Sequence, residues 1–404
     1  MKQRIHPFLC KAAAIVAGVI LVAGCSAPAA PSAPVTATVM QLIVVTSTPE
    51  PTSTKPAATA TTASTPTIAV PTATPTVIPT ATPDPNVNPF TGLALSPTNT
   101  KTIPVLIKVS NSPEVRPQSA LALADVVVEH YSEGGITRFT ALFHTNLPDK
   151  VGSVRSCRLI DIELPVIFGA GIVCSGTSGG TRQKIFASGS WADSGGDVRK
   201  TVWMVGDQGN FECLQPAGCP LPMYRTSEAY PPHNLFASTH NALAELVSRG
   251  LNKPTTFNTW SFSTTAPDGG KSAASVNIPY SSGVVGWVYD AKSGAWSRSI
   301  GGVPHFDAIT GAQLTSTNVA VLYVNHVTTL IVEDSGGSHG IEIQLWGEGN
   351  AQLLRDGKMY DARWQRTGNA TGLKFVDSNG NALPMKPGNT WLEMVPLDMA
   401  VKVN

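Results

Sequence analysis

The sequence predicts an α+β or α/β protein in which an N-terminal α/β domain precedes a smaller β-rich domain, with a signal peptide and a disordered tether before both. Three observations predict this organisation. Apolar runs alternate with helical stretches between residues 103 and 248. Short apolar runs separated by glycine-rich turns follow residue 251. Residues 26–87 contain no glycine and no aromatic residue, so they cannot form a core. The predicted divisions are 1–24, 25–87, 88–252 and 253–404.

The N-terminus has the pattern of an export signal. Three basic residues precede the apolar run Ala12–Gly24, which is shorter than the roughly 20 residues of a membrane-spanning helix. The run ends in Val-Ala-Gly-Cys, which looks like a lipobox whose cysteine takes a diacylglyceryl group. We therefore predict a lipoprotein signal peptide, lipid on Cys25, and an extracytoplasmic location anchored to the cell membrane. An ordinary signal peptide with an incidental cysteine is the alternative.

The segment after Cys25 has the composition of a tether. The sequence Pro-Thr-Ala-Thr-Pro occurs at residues 71–75 and again at 79–83, and Pro, Thr, Ser and Ala make up 45 of residues 26–87. Chains of this composition remain extended and solvated. We predict that this segment holds the folded part away from the membrane.

The charge balance argues against a nucleic-acid partner. The chain has 28 basic and 27 acidic residues, and removal of the three basic residues of the signal leaves a net charge of −2. An electrostatic contact with a phosphate backbone needs clustered lysines and arginines on a basic domain. The sequence offers no such cluster, and it indicates no cofactor.

The first half of the folded region alternates strands and helices. The strands are predicted at Ile103–Val109, Asp125–Tyr131, Arg138–His144 and Ala170–Cys174. The helices are predicted at Gln118–Ala124, Leu159–Phe168, from Thr181 onward, and at Asn241–Ser248 with Ser238 or Thr239 as N-cap. Apolar strands of this kind are typical of a sheet that is covered on both faces.

The second half is predicted to be mostly β and to form a small sandwich or barrel. Its strands are predicted at Ser275–Tyr280, Gly286–Tyr289, Asn318–Val324, Ile341–Trp346, Ala351–Leu354, Met359–Trp364 and Trp391–Val395. Its tryptophans either stack on sugar rings, if they are exposed, or form the core.

Four cysteines follow the predicted lipidation site. Cys213 and Cys219 flank a turn-forming stretch, so they are the candidate disulfide of an oxidising compartment. Cys157 and Cys174 either form a second bridge or remain as buried thiols. The chain has neither a C-x2-C pair nor a well-spaced histidine partner, so no metal site is predicted.

Ten distinctive segments occur in order along residues 88–404. They are Asn88–Gly92, Arg116–Ala120, Ala124–Val126, Glu133–Phe139, Val151–Ser156, Pro232–Leu235, Val319–Val324, Gly347–Gly349, Asp356–Lys358 and Pro387–Trp391. These segments resemble the YerB-like bacterial lipoprotein family, a domain family of unknown function with N-terminal and C-terminal domains. The resemblance implies an architecture and a location but no molecular activity. Cys174 stands where this family usually has a histidine.

Several arginines fall close together in a charge-poor chain. They are Arg116, Arg138, Arg155 and Arg158. The arginine fork binds carboxylate or phosphate with two parallel hydrogen bonds, so the group could form an anion site. The alternative is an internal ion network with Asp125, Glu129 and Glu133. The resemblance favours a site, because the arginines lie within or beside the family's motifs.

Two further motifs are candidates for function. Gly176–Gly180 reads G-x-S-x-G, either a nucleophile elbow that presents Ser178 or a glycine-rich turn that binds an anion through backbone N–H groups. His233 and Asn234 follow two prolines in a loop, where they either contact a ligand or cap the following structure.

Two classes of function follow from these motifs. The first is a cell-envelope binding module for an anionic ligand, a cell-wall glycan or a protein partner. The second is an envelope hydrolase that uses Ser178 or a carboxylate such as Glu133. We prefer the first, with a polar cleft where two predicted strands lead into Ser110–Arg116 and Ser175–Gly180.

Overall fold

The computed structural model describes residue 84 and residues 86–206, 211–368 and 372–404. The predicted signal peptide, the lipidation site at Cys25 and almost all of the tether lie outside these residues. All of the described residues belong to one compact unit. In this part of the chain no helix is long and apolar enough to span a membrane.

The strands of the first half are short and lie between small helices. They are β1 (Val105–Ser110), β2 (Val126–Tyr131), β3 (Thr137–Phe143), β4 (Val151–Gly152), β5 (Gly171–Cys174), β6 (Trp203–Val205), β7 (Glu212–Cys213), β8 (Met223–Arg225) and β9 (Leu235–Ala237). The α-helices are α1 (Leu164–Phe168), α2 (Gly179–Ala187), α3 (Gly189–Ala192) and α4 (Thr239–Ser248). Single 3₁₀ turns occur at Asn99–Lys101, Pro113–Val115, Leu121–Leu123, Glu133–Gly135, Leu159–Ile162 and Val198–Lys200.

The second half contains strands only, among its described residues. They are β10 (Lys271–Ser272), β11 (Ser275–Tyr280), β12 (Gly283–Asp290), β13 (Ala295–Ile300), β14 (Val303–Pro304), β15 (Thr315–Ser316), β16 (Asn318–Tyr323), β17 (His326–Val332), β18 (His339–Ile343), β19 (Gly347–Arg355), β20 (Lys358–Arg366), β21 (Lys374–Val376), β22 (Thr390–Val395) and β23 (Lys402–Val403). The predicted α/β half followed by a β-rich half is confirmed.

The main sheet contains strands from both halves. Its order is β10-β20-β19-β16-β22-β2-β3-β1-β5-β6, and β21 pairs with β20. The junction between the halves is a parallel pair, in which Val126 of β2 lies opposite Thr390 of β22. Hydrogen bonds of the main sheet cross the predicted boundary near residue 252. Independent folding of the two halves therefore stays a prediction.

The expectation that the second half forms its own sandwich or barrel is wrong. Four of its longer strands, β16, β19, β20 and β22, extend the sheet of the first half. The strands β11 to β15 and β23 form a separate six-stranded sheet, which contacts the main sheet where Trp287 meets Trp391, with ring centroids 5.2 Å apart. β2 and β16 each have one edge whose backbone N–H and C=O groups need hydrogen-bond partners. β22 lies between them and pairs in parallel with both.

Both faces of the main sheet are buried, as continuous apolar strands predict. Along β1, Val105, Ile107 and Val109 belong to one core cluster, whereas Leu106 belongs to the other. The first cluster includes Trp287 and Trp296 of the six-stranded sheet, and the second includes Ile167 and Phe168 of α1. The sheet is therefore the rigid support for the loops at its edge.

Two predicted helices differ from the observed ones. The stretch Gln118–Ala124 forms only a 3₁₀ turn, because Ala120 adopts a left-handed backbone conformation with φ of 72°. The stretch Leu159–Phe168 divides into a 3₁₀ turn and α1, where Pro165 lacks the N–H that a continuous helix would need. The helix predicted at Asn241–Ser248 is α4, and Ser238 caps it by accepting a hydrogen bond from Asn241 N.

Candidate functional site

Loops that leave the sheet at one edge form the candidate site. The strands β1 and β5 are parallel, so Ser110 and Cys174 end at the same edge. The segment after β4 lies between these loops: Ser110 N donates to Ser153 O at 2.9 Å, and Ser175 N donates to Arg155 O at 2.9 Å. The two loops named in the sequence analysis are therefore neighbours.

The four arginines separate into two pairs. Arg138 and Arg158 both contact Glu133, with Arg138 Nη2 at 2.5 Å from Oε1 and Arg158 Nε at 2.5 Å from Oε2. Arg158 Nε also lies 3.5 Å from Glu333 Oε2. Burial acts to raise the pKa of Glu133, but the hydrogen bond from Arg158 and the charge of Arg138 outweigh it and lower the pKa to about 2. Arg138 and Arg158 therefore belong to an internal ion network with Glu133.

Arg116 and Arg155 form no ion pair with a carboxylate of the described residues. Arg116 donates from Nε to Asn111 Oδ1 at 3.2 Å and from Nη2 to Asn111 O at 2.7 Å, which leaves Nη1 available. Arg155 donates from Nη2 to His233 Nδ1 at 3.1 Å. A guanidinium can only donate, so Nδ1 accepts, and a neutral His233 carries its proton on Nε2.

A cleft of about 360 Å³ lies beside Arg116 and His233. Ser153 also lines it, is only 3% exposed, and its hydroxyl has no hydrogen-bond partner. Lys150 and Glu228 form an ion pair at the cleft, with Nζ at 2.6 Å from Oε2. Residues 308 and 309 of the second half complete the wall.

Short strand pairings position these side chains. In the antiparallel pair of β4 and β9, Gly152 lies opposite Phe236, and Val154 N donates to Leu235 O at 2.7 Å. A Cβ atom on Gly152 would lie 2.8 Å from the ring of Phe236, so this close approach requires glycine. The pairing brings Ser153 and His233 to one wall of the cleft.

The structure places Ser178 and Asn234 in structural contacts. Ser178 caps α2 by accepting a hydrogen bond from Thr181 N at 3.2 Å, and none of the hydrogen bonds of the described residues joins it to a histidine. A serine nucleophile needs such a base, so the hydrolase alternative that uses Ser178 gains no support. The Asn234 amide accepts from Arg225 at 2.9 Å and donates to Thr226 O at 3.1 Å, which fixes the loop that carries His233.

Sequence reasoning missed a buried polar network behind Arg116. Asn111 donates to Glu129 at 3.1 Å, Glu129 pairs with Arg298 of the second half, and Arg298 Nη1 lies 2.5 Å from His305 Nδ1. His305 Nε2 lies 2.6 Å from Gln118 Oε1. A charged Glu129 within an apolar strand signals that a partner exists, but no local pattern indicates Arg298.

The cysteines and tryptophans have defined places. The candidate pair Cys213 and Cys219 is joined, and so are Cys157 and Cys174. Five tryptophans of the second half are buried, namely Trp260, Trp287, Trp296, Trp364 and Trp391, whereas Trp346 is exposed. Within the described ranges, no group of three or more His, Cys, Asp or Glu side chains is arranged to hold a metal ion.

Comparison with known proteins identifies relatives of the whole folded region. The N-terminal and C-terminal domains of the protein of unknown function DUF3048 match residues 90–252 and 276–392. A protein of Bacillus subtilis (strain 168) named "Putative lipoprotein YerB" is 28% identical over 317 residues, which are 77% of this chain and 87% of that protein. The crystal structure of YerB from Bacillus subtilis matches with a TM-score of 0.63 and 28% identity, over 78% of this chain and 99% of that one. The chain therefore belongs to the DUF3048 family of proteins of unknown function.

Proposed function

We propose that the protein is an extracytoplasmic lipoprotein, anchored to the membrane through Cys25, whose cleft beside Arg116 binds an anionic group of a cell-envelope ligand. The name of the Bacillus subtilis relative supports the lipoprotein assignment, and so does the lipobox-like sequence that ends at Cys25. The cleft supports the binding role.

The unequal distribution of counter-charge is the observation that carries the binding proposal. Arg138 and Arg158 both pair with Glu133, and Glu333 lies 3.5 Å from Arg158, whereas Arg116 and Arg155 form no ion pair with a carboxylate of the described residues. A partly buried guanidinium without a counter-ion is costly, and an anionic ligand removes that cost.

The cleft also contains donors that match an anion. They are Arg116 Nη1 and, in neutral His233, the Nε2–H group, whereas the unpartnered hydroxyl of Ser153 is itself buried. Both groups can donate hydrogen bonds to an anionic oxygen. A glycan platform has less support, because five of the six tryptophans in the second half are buried.

Arg116→Gln should weaken binding of an anionic probe about ten- to a hundredfold, because one charge-assisted contact is lost. The measurement is titration of the purified full-length protein with inorganic phosphate and with a purified anionic wall polymer. Arg199→Gln is the matched control, because the Arg199 side chain is 82% exposed and pairs with Asp197. Equal affinities of wild type and Arg116→Gln, with unchanged melting temperatures, would contradict the binding proposal.

Cys25→Ala should abolish lipid labelling and leave the precursor unprocessed at this site, because the thiol that takes the diacylglyceryl group is gone. The measurement is incorporation of a labelled fatty acid together with membrane sedimentation. Cys10→Ala is the control, since Cys10 lies in the same predicted signal. Unchanged labelling of Cys25→Ala would rule out this anchor.

A further inference from the structure

An apolar groove adjoins the anion cleft. It has a volume of about 410 Å³, and its lining includes Ile300, Val303, Pro304 and Phe306 from the hairpin of β13 and β14 and the residues after it. Val303 is 67% exposed and Phe306 is 47% exposed. Neighbouring apolar side chains with this exposure are typical of a binding surface.

The groove and the cleft share Arg116 and Pro117 in their linings. Arg116, which forms no ion pair with a carboxylate of the described residues, therefore lies at the boundary between the apolar groove and the polar cleft. A ligand that contacts both needs an anionic group and an apolar part joined directly to each other.

The polar atoms of the groove indicate which kind of apolar group the ligand carries. His305 has both ring nitrogens engaged, Nδ1 with Arg298 at 2.5 Å and Nε2 with Gln118 at 2.6 Å. Burial, and next the charge of Arg298, lower the pKa of His305 to about 2, so it stays neutral and cannot hold a second anion. The amide groups of a peptide would lack side-chain partners in the groove, whereas a hydrocarbon chain needs none.

We propose that the ligand is a phosphate amphiphile, with its phosphate in the cleft at Arg116 and a single hydrocarbon chain in the groove formed by Ile300, Val303 and Phe306. This inference rests on the proposed function and specifies its ligand. A phosphate monoester offers Arg116 and His233 more negative charge and more acceptor oxygens than a carboxylate does.

Calorimetric titration of the purified full-length protein with butyl, hexyl and octyl phosphate tests the proposal. Affinity should rise roughly tenfold for each two methylenes that enter the groove. Octyl glucoside, which has a neutral head, should bind roughly ten- to a hundredfold more weakly than octyl phosphate. Arg116→Gln should weaken all three phosphates by a similar factor.

The variant carrying Val303→Ser and Phe306→Ser should lose most of the chain-length dependence and keep its affinity for butyl phosphate. Val288→Ser is the matched control, because Val288 is 55% exposed on β12 of the same sheet and does not line the groove. It should retain the chain-length dependence.

Each unfavourable outcome identifies what fails. Binding that depends on Arg116 but not on chain length overturns the amphiphile and leaves the proposed function intact. A chain-length effect that survives Val303→Ser with Phe306→Ser overturns the groove as its location. Absence of binding by every alkyl phosphate and by the anionic wall polymer overturns the proposed function and the inference together.

Discussion

Arg298→Met is expected to lower the free energy of unfolding by about 3 to 5 kcal/mol, because it leaves a buried carboxylate without its partner. Arg298 and Glu129 are both fully buried and form an ion pair. The guanidinium also lies over three rings, 5.0 Å from the centroid of Trp391, 5.4 Å from Phe139 and 5.7 Å from Trp287. Methionine replaces part of this packing but none of the charge.

Urea unfolding followed by tryptophan fluorescence measures this effect. Arg363→Met is the matched control, because Arg363 and Glu348 form an exposed pair on β19 and β20. Such pairs contribute about 0 to 1 kcal/mol. A loss for Arg298→Met no larger than that of the control would show that Glu129 is not held as a buried charge.

The same variant tests whether the two halves unfold together. Glu129 lies on β2 and Arg298 on β13, so the lost ion pair connects residues on opposite sides of the predicted boundary at 252. Faster amide hydrogen exchange in both strands indicates one cooperative unit. Faster exchange confined to β13 would support independent folding of residues 88–252 and 253–404.

Lys108→Met is expected to lower the free energy of unfolding by about 3 to 5 kcal/mol. It also breaks a buried ion pair, in another part of the core. Lys108 Nζ is fully buried and lies 2.8 Å from Asp161 Oδ1, 2.9 Å from Thr140 Oγ1 and 2.6 Å from His130 Nε2. Burial lowers the pKa of Lys108 to about 8, although Asp161 acts to raise it. Methionine keeps most of the length of the side chain but leaves Asp161 without its lysine partner.

A second substitution isolates the unpaired charge as the cause. Adding Asp161→Asn to Lys108→Met should recover more than about 1 kcal/mol, since removing both charges is far less costly than removing one. Lys271→Met is the control for loss of a lysine, because Lys271 pairs with Asp361 at the surface. If Asp161→Asn lowers the stability of Lys108→Met further, the loss comes from packing and not from charge.

Local sequence patterns predicted many of the longer strands, although not β6, β13 or β17, and they did not predict which strands pair. Runs such as Val126–Tyr131 and Thr390–Val395 are apolar enough to be identified as buried strands. Their pairing is not predictable, because any two apolar strands of this length are compatible and a distant segment supplies the partner. The expectation that the second half forms its own sandwich or barrel therefore failed at this pair.

The candidate site shows the same limit. The sequence brings four arginines together, and their residue type indicates anion binding. Which arginines have a carboxylate partner depends on the position of Glu133. That position is set by the fold. The apolar side chains beside Arg116 lie almost 200 positions later in the chain, so no motif connects them.

The place of β22 between β2 and β16 has a consequence for synthesis. A chain synthesised from its N-terminus exposes β2 long before residues 390–395 are made, so one edge of this apolar strand has no partner during that interval. A product truncated before residue 390 keeps that open edge permanently, and open apolar edges aggregate. The synthesis of residues 390–395, and not completion of the first half, is therefore the event that covers this edge.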